Sequence, residues 1–130
     1  VSANIEGNAL ASQNGCLMEH WIKALYPSAE FRYKGAIDCI IDGVRVEIKS
    51  CQEFIHDSEY KNNQRSGRIC FNSQQHEILV LEGGDYIFLV HRNGNPFIFV
   101  RLPASSLSRS SWSGVKCVSW KTLLFGGVLI

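Results

Sequence analysis

The chain has 130 residues, enough for one domain and cramped for two. A hydrophobic content of 45% against 19% charged excludes a disordered tail, a collagen-like rod and a coiled coil. The formal net charge of +1 makes no overall commitment to a polyanion or a membrane surface, so any nucleic-acid binding must come from local charge.

Residues 1–14 are small and polar and read as a loose arm or a weak helical turn. From Gly15 to Leu25, Leu17, Met18, Trp21, Ile22 and Leu25 recur at helical spacing. Pro27 ends that helix, because the residue before a proline is driven out of the helical region. A short edge strand is expected from Glu30 to Tyr33. Two further strands, Ala36 to Ile41 and Val44 to Ser50, flank the pair Asp42 and Gly43, a strong signal for a two-residue hairpin turn. Gln52 to Gly67 reads as one long polar loop, which in a small domain points to function or mobility. Arg68 to Phe71 is a short strand. Ser73 is placed as the N-cap of a helix reaching Glu82, stopped by Gly83 and Gly84. Tyr86 to His91 and Phe97 to Leu102 form a second hairpin around Asn93 to Pro96. Ser105 to Ser113 is irregular, Val115 to Trp120 a last strand, and Trp120 to Phe125 a last short helix. This order implies a single α/β domain over 1–130 with a central mixed sheet flanked by helices, residues 103–130 forming a C-terminal extension.

The five cysteines, Cys16, Cys39, Cys51, Cys70 and Cys117, are odd in number and lack any CxxC spacing. They read as reduced thiols in a cytoplasmic type of compartment. The longest apolar run, Leu123 to Ile130, is broken by Gly126 and Gly127 and is too short to span a bilayer. No leader with a basic start and an apolar centre is visible.

The chemistry concentrates in Ala36 to Ser50. A two-residue turn at Asp42 and Gly43 sets Asp38 opposite Glu47, Ile40 opposite Arg45 and Ala36 opposite Lys49. One face of the hairpin then carries Asp38, Arg45, Glu47 and Lys49. The other carries Ile37, Cys39, Ile41, Val44, Val46 and Ile48, the expected core side. Directly opposed like charges repel, so a divalent cation, a shared proton or a neighbouring base should compensate them. Two carboxylates with the Ile48 carbonyl and water make an oxygen-rich site of the kind Mg²⁺ prefers, and a metal of this sort serves phosphodiester hydrolysis. Lys49 lies on the same face within reach. The alternative is a solvated face whose acids pair with Arg45 and Lys49.

An acid in an apolar strand, then Glu47, Ile48 and Lys49 closing the next, resembles the PD-(D/E)XK nuclease superfamily. A helix with Gly15 and Glu19 precedes the hairpin; a polar loop, a strand and a helix follow. Ile37 stands where that motif often has proline. The resemblance spans Gly15 to Leu102 and implies a restriction-endonuclease-like fold. It also implies a Mg²⁺-dependent DNA endonuclease, with Mn²⁺ able to substitute. Asp38 and Glu47 would bind the metal with the Ile48 carbonyl, and Glu19 would complete the site or else be merely solvated. Lys49 would act on the attacking water. Structure-specific cleavage, as in small Holliday-junction resolvases, is the first implied substrate preference and restriction-type cleavage the second. A non-cleaving nucleic-acid-binding module is the competing reading.

Lys61, Arg65 and Arg68 on the polar loop are candidate DNA contacts, or belong to an ordinary solvated loop. Gln52 could orient a water but reads as a loop residue. Cys16 and His20 sit one helical turn apart without further ligands at recognisable spacing, and no motif supports a Cys/His nucleophilic pair. His76 reads as helix-surface polarity or, less simply, as a phosphate contact. Cutting two strands requires two sites, so a homodimer is expected, with Trp112, Trp120, Leu123, Leu124 and Phe125 either available for its interface or covering one end of the monomer's own sheet.

Overall fold

The computed structural model describes residues 19–32, 38–107 and 112–125. Helix α1 occupies 19–25 of the described residues and ends ahead of Pro27. Strands β1 (Glu30–Arg32), β2 (Asp38–Ile41) and β3 (Val44–Gln52) follow. Ala36 and Ile37 lie outside the described residues. Asp42 and Gly43 turn with φ of 51° and 82°, both in the left-handed region that a tight hairpin turn of this hand demands. The register is the one the turn dictates: Asp38 pairs with Glu47 and Ile40 with Arg45.

The segment expected to be a loop is a small hairpin. It comprises β4 (Phe54–His56), a 3₁₀ turn (Lys61–Asn63) and β5 (Gln64–Ser66). β6 (Arg68–Asn72) leads into α2 (Ser73–Leu81). The N-cap is Asn72 and not Ser73. The Asn72 side chain accepts hydrogen bonds from the amides of Gln74 and Gln75, while Ser73 is already helical. Gly83 ends α2 at φ 69°, with the amides of Gly83 and Gly84 bonded to the carbonyls of Val80 and Leu79. β7 (Asp85–Arg92) and β8 (Asn95–Pro103) form the second hairpin. Its turn is shorter than expected, with Asn93 and Gly94 at positive φ. A 3₁₀ turn (Ala104–Leu107), β9 (Val115–Ser119) and α3 (Trp120–Leu124) complete the described chain.

The main sheet runs β1-β2-β3-β7-β8, with β3 and β7 parallel at its centre and every other neighbour antiparallel. It is the mixed sheet of an α/β domain. Both of its faces are covered, as expected of a sheet flanked by helices, and the alternative of a simply solvated acid-bearing face does not hold. On one side Ile22 of α1 meets Cys39, Ile41, Val46, Ile48, Ile87 and Leu89. On the other, Tyr86, Phe88 and Val90 pack with Ile69 and Phe71 of β6, Leu79 of α2, and Trp120 and Leu123 of α3. The physical reason lies in β7, where Tyr86 to Val90 are all buried; a central parallel strand presents apolar side chains to both faces.

β6 pairs with β9, and their facing residues Cys70 and Cys117 form a disulfide. This overturns the reading of these two as reduced thiols: the strand pairing that joins them lies between segments 47 residues apart. Cys39 and Cys51 are free, and Cys16 lies outside the described residues. Among the described residues no helix is long and apolar enough to cross a membrane.

Candidate active site

Hairpin register brings the two acids together. Asp38 opens β2, Glu47 faces it from β3, and Arg45 stands two residues earlier on the same face. Lys49 follows two residues later, its amino group over the Phe71 ring at 5.9 Å from the centroid. Parallel pairing with β7 sets Tyr86 beside Glu47 and Phe88 beside Lys49. The site therefore sits where an apolar core ends and the hairpin tip begins.

The predicted repulsion is met by a neighbouring base. The Arg45 Nε lies 3.4 Å from Asp38 Oδ2, and its Nη2 lies 3.5 Å from Glu47 Oε1. A third acid, Glu82, accepts a hydrogen bond from Arg45 Nη1 at 3.1 Å. Glu82 is held there by the end of α2. A Cβ on Gly84 would stand 2.7 Å from the Arg45 carbonyl and 2.3 Å from Leu79 Cδ1, so only glycine lets this turn approach β3 so closely. Asp38, Ile40, Gly43, Arg45 and Glu82 line an open cleft of about 300 Å³.

Glu47 is 3% exposed. Burial pushes its carboxyl above the ordinary value; Lys49 and Arg45 pull it back, and Asp38 adds to the rise. Its Oε2 is buried without a hydrogen-bond partner. Such an atom costs free energy unless something positive or protic reaches it. A divalent cation bound by Asp38, Glu47 and a main-chain carbonyl fits that orphaned oxygen and the hardness of the donors. Ile48 itself points into the opposite core, so only its carbonyl could take part. Among the described residues no group of three or more His, Cys, Asp or Glu side chains converges as a metal cluster. A cation here would keep several waters, as Mg²⁺ commonly does.

Glu19 is half-buried at the start of the described part of α1. One turn on, Ile22 packs into the core on the face opposite to Glu47. Lys61 opens the 3₁₀ turn. Arg65 is engaged, with its Nε 3.2 Å from Asp57 Oδ2. Arg68 is exposed and donates to the Tyr60 hydroxyl at 3.2 Å. Gln52 ends β3, opposite His91 in β7. His20 is exposed, and Cys16 lies outside the described residues. His76 is not surface polarity: it is 3% exposed, stacked on Tyr86 and hydrogen-bonded to its hydroxyl at 2.7 Å. The thiols of Cys39 and Cys51 are pushed up by burial to about 11 and about 12, which leaves neither a nucleophile near neutral pH.

Sequence reasoning missed Glu82 and Tyr86. The signal for Glu82 was its place just before the two glycines that stop α2; its partner lies 37 residues away. Tyr86 gave no separate signal, since it reads as one more apolar position of β7.

A family model, the PD-(D/E)XK nuclease superfamily domain, matches residues 6–120. No curated protein and no solved structure gives a significant match. The matched span contains the facing pair Asp38 and Glu47, Lys49, and the mixed sheet that holds them. The chain belongs to the PD-(D/E)XK nuclease superfamily, and in class it is a nuclease-type hydrolase.

Proposed function

We propose that the protein is a Mg²⁺-dependent endonuclease that hydrolyses DNA phosphodiester bonds, with Mn²⁺ able to substitute. The observation that carries this reading is the facing pair Asp38 and Glu47, with an unsatisfied buried oxygen on Glu47 and Lys49 on the same face. Asp38, Glu47 and the Ile48 carbonyl would hold the cation; Glu19, the further acid that the family pattern offers, stands on the helix that packs on the opposite face of the sheet. When bound, the cation supplies positive charge to the phosphoryl oxygen and makes a nearby water a stronger nucleophile. Lys49 orients that water and stabilises charge as it develops on the phosphate; the Phe71 ring supports its ammonium group. Branched DNA is the proposed substrate and a sequence-specific duplex the alternative.

The test is incubation of a plasmid and a synthetic four-way junction with Mg²⁺, Mn²⁺ or EDTA. Asp38→Asn and Glu47→Gln should remove cleavage and divalent-ion binding while the fold persists. Apo stability should stay level or rise, because one of two facing charges is gone. Undiminished cleavage by both variants would sink the assignment. Binding of DNA by the parent without any cleavage would favour the non-cleaving module.

A two-fold homodimer would supply the second site that two-strand cutting needs. Of the two readings of the C-terminal residues, coverage of the monomer's own sheet accounts for most of them. Trp120 and Leu123 are buried in the monomer's own core, and Trp112 and Leu124 pack against it. Phe125 alone of the five is exposed, at 71%. Sedimentation equilibrium at micromolar concentration, with and without DNA, should show the dimer. A monomer in both conditions would leave a nicking enzyme.

A further inference from the structure

Arg45 belongs to no part of the motif that defines the site, yet it touches Asp38, Glu47 and Glu82. Its contacts are unequal. Towards Glu82 it makes a hydrogen bond of 3.1 Å. Towards Asp38 and Glu47 it makes only ion pairs, at 3.4 and 3.5 Å, and its Nε is buried with no hydrogen-bond partner. The guanidinium is thus anchored outside the acid pair and leans on it. The cleft beside it, lined by Asp38, Gly43 and Glu82, leaves room for it to withdraw. A divalent cation and this guanidinium would compete for the same two carboxylates, since like charges that close repel strongly.

We propose that Arg45 is a built-in counter-ion of the site. It offsets part of the charge of Asp38 and Glu47 while no metal is bound, and it is displaced wholly onto Glu82 as a divalent cation enters. The inference rests on the metal-dependent reading above and adds to it a residue pair that sets metal affinity. Glu82 is the resting place that makes displacement cheap: its hydrogen bond is already formed before the metal arrives. Lys49 does not share this role, because it stands on the other side of Glu47 along β3 and its ammonium rests over Phe71. Arg45 is therefore a positioning residue, acting on the chemistry only through the acids it releases.

The experiment is calorimetric titration of the full chain with Mn²⁺, in the absence of DNA, for the parent, Arg45→Gln, Glu82→Gln and the double variant. Arg45→Gln should bind Mn²⁺ roughly tenfold tighter or more, the effect of removing a unit positive charge about 5 Å from a divalent ion even at the dielectric of water. Glu82→Gln should bind more weakly by several fold. In the double variant the Glu82 change should have little further effect, because the group it anchors is gone; that non-additivity is the signature of displacement. Thermal unfolding gives a second readout. Without metal Arg45→Gln should melt lower than the parent, and saturating Mn²⁺ should raise its melting temperature by more than the parent's. Unchanged or weaker Mn²⁺ affinity in Arg45→Gln, with Asp38→Asn still abolishing binding, would overturn the counter-ion role and leave the metal site standing. Additive effects of the two changes would overturn the displacement onto Glu82. Absence of Mn²⁺ binding in the parent and Arg45→Gln alike would overturn this inference together with the reading beneath it.

Discussion

Breaking the Cys70–Cys117 bridge gives a stability change that can be worked from the fold. The bond joins facing residues of β6 and β9 across a separation of 47 residues, a loop that contains α2, β7 and β8. In the chain-entropy account, closing a loop of that size removes freedom from the unfolded chain equivalent to about 4 kcal/mol at 25 °C. That figure is an upper estimate, since unfolded chains keep some structure of their own. For a domain of this length it corresponds to a fall in melting temperature of at most roughly 15 °C. The β6–β9 ladder keeps its five paired positions without the bond, so the variant should still fold. The assay is thermal unfolding followed by circular dichroism, for the parent with and without dithiothreitol and for the Cys70→Ser, Cys117→Ser double variant. Reduced parent and double variant should melt together, below the oxidised parent. A functional consequence should accompany the loss, because β6 carries Phe71, the ring beneath Lys49. Coincident melts for all three species would refute the reasoning and restore the expectation of reduced thiols.

Two further outcomes are expected. Neutralising Lys61, Arg65 and Arg68 together should weaken DNA binding and lower the log–log salt slope by roughly one unit for each phosphate no longer neutralised. Arg65 is already paired with Asp57, so the three changes should release fewer than three phosphates, and an unchanged slope would exclude this segment from the DNA interface. Acid should destabilise the fold through His91, which is 1% exposed with neither ring nitrogen hydrogen-bonded; burial holds its pKa below the ordinary value, and the same cause lowers His76. The unfolded chain takes up a proton near pH ~6.5 that the folded chain resists, so stability is full above that pH and falls as pH drops below it. Urea unfolding at a pH of about 7.5 and about 5 should show a smaller difference for His91→Leu than for the parent. Equal differences would exclude His91. Glu47, pushed up by burial, tilts the profile the opposite way, so the comparison between proteins is the readout.

What could be read in advance was local. Asp42 and Gly43 specify a turn by their own backbone preferences, and a two-residue turn leaves one register for the strands on either side. The facing of Asp38 and Glu47 therefore follows from sequence spacing alone. The N-cap was misplaced by one residue because Asn72 and Ser73 both cap well, and only the direction of the chain leaving β6 decides between them. The hairpin of β4 and β5 was hidden because its strands are three residues each and β5 is wholly polar. The parallel seam of β3 and β7, the disulfide and the Arg45–Glu82 contact all join segments tens of residues apart. No local preference encodes such pairings; they follow from how the sheet closes around β7. The burial of Glu47 was hidden for the same reason, since the side chains that cover its face come from β6, β7 and α2.

That burial carries the functional argument further than the motif does. A pair of facing carboxylates left bare in an apolar setting would oppose folding, and a pair fully hydrogen-bonded to a base would be a structural ion pair with no use for a metal. The observed site lies between these limits. Arg45 sets a positive charge 3.4 and 3.5 Å from the two acids. Yet it leaves Glu47 Oε2 unbonded and takes its own hydrogen bond from Glu82 outside the pair. An arrangement that is stable but unsatisfied is what a site requires if it is to fold first and take up a cation afterwards. If Arg45 is the counter-ion we propose, the third acid is what permits this, because it would give the displaced guanidinium somewhere to remain charged and bonded.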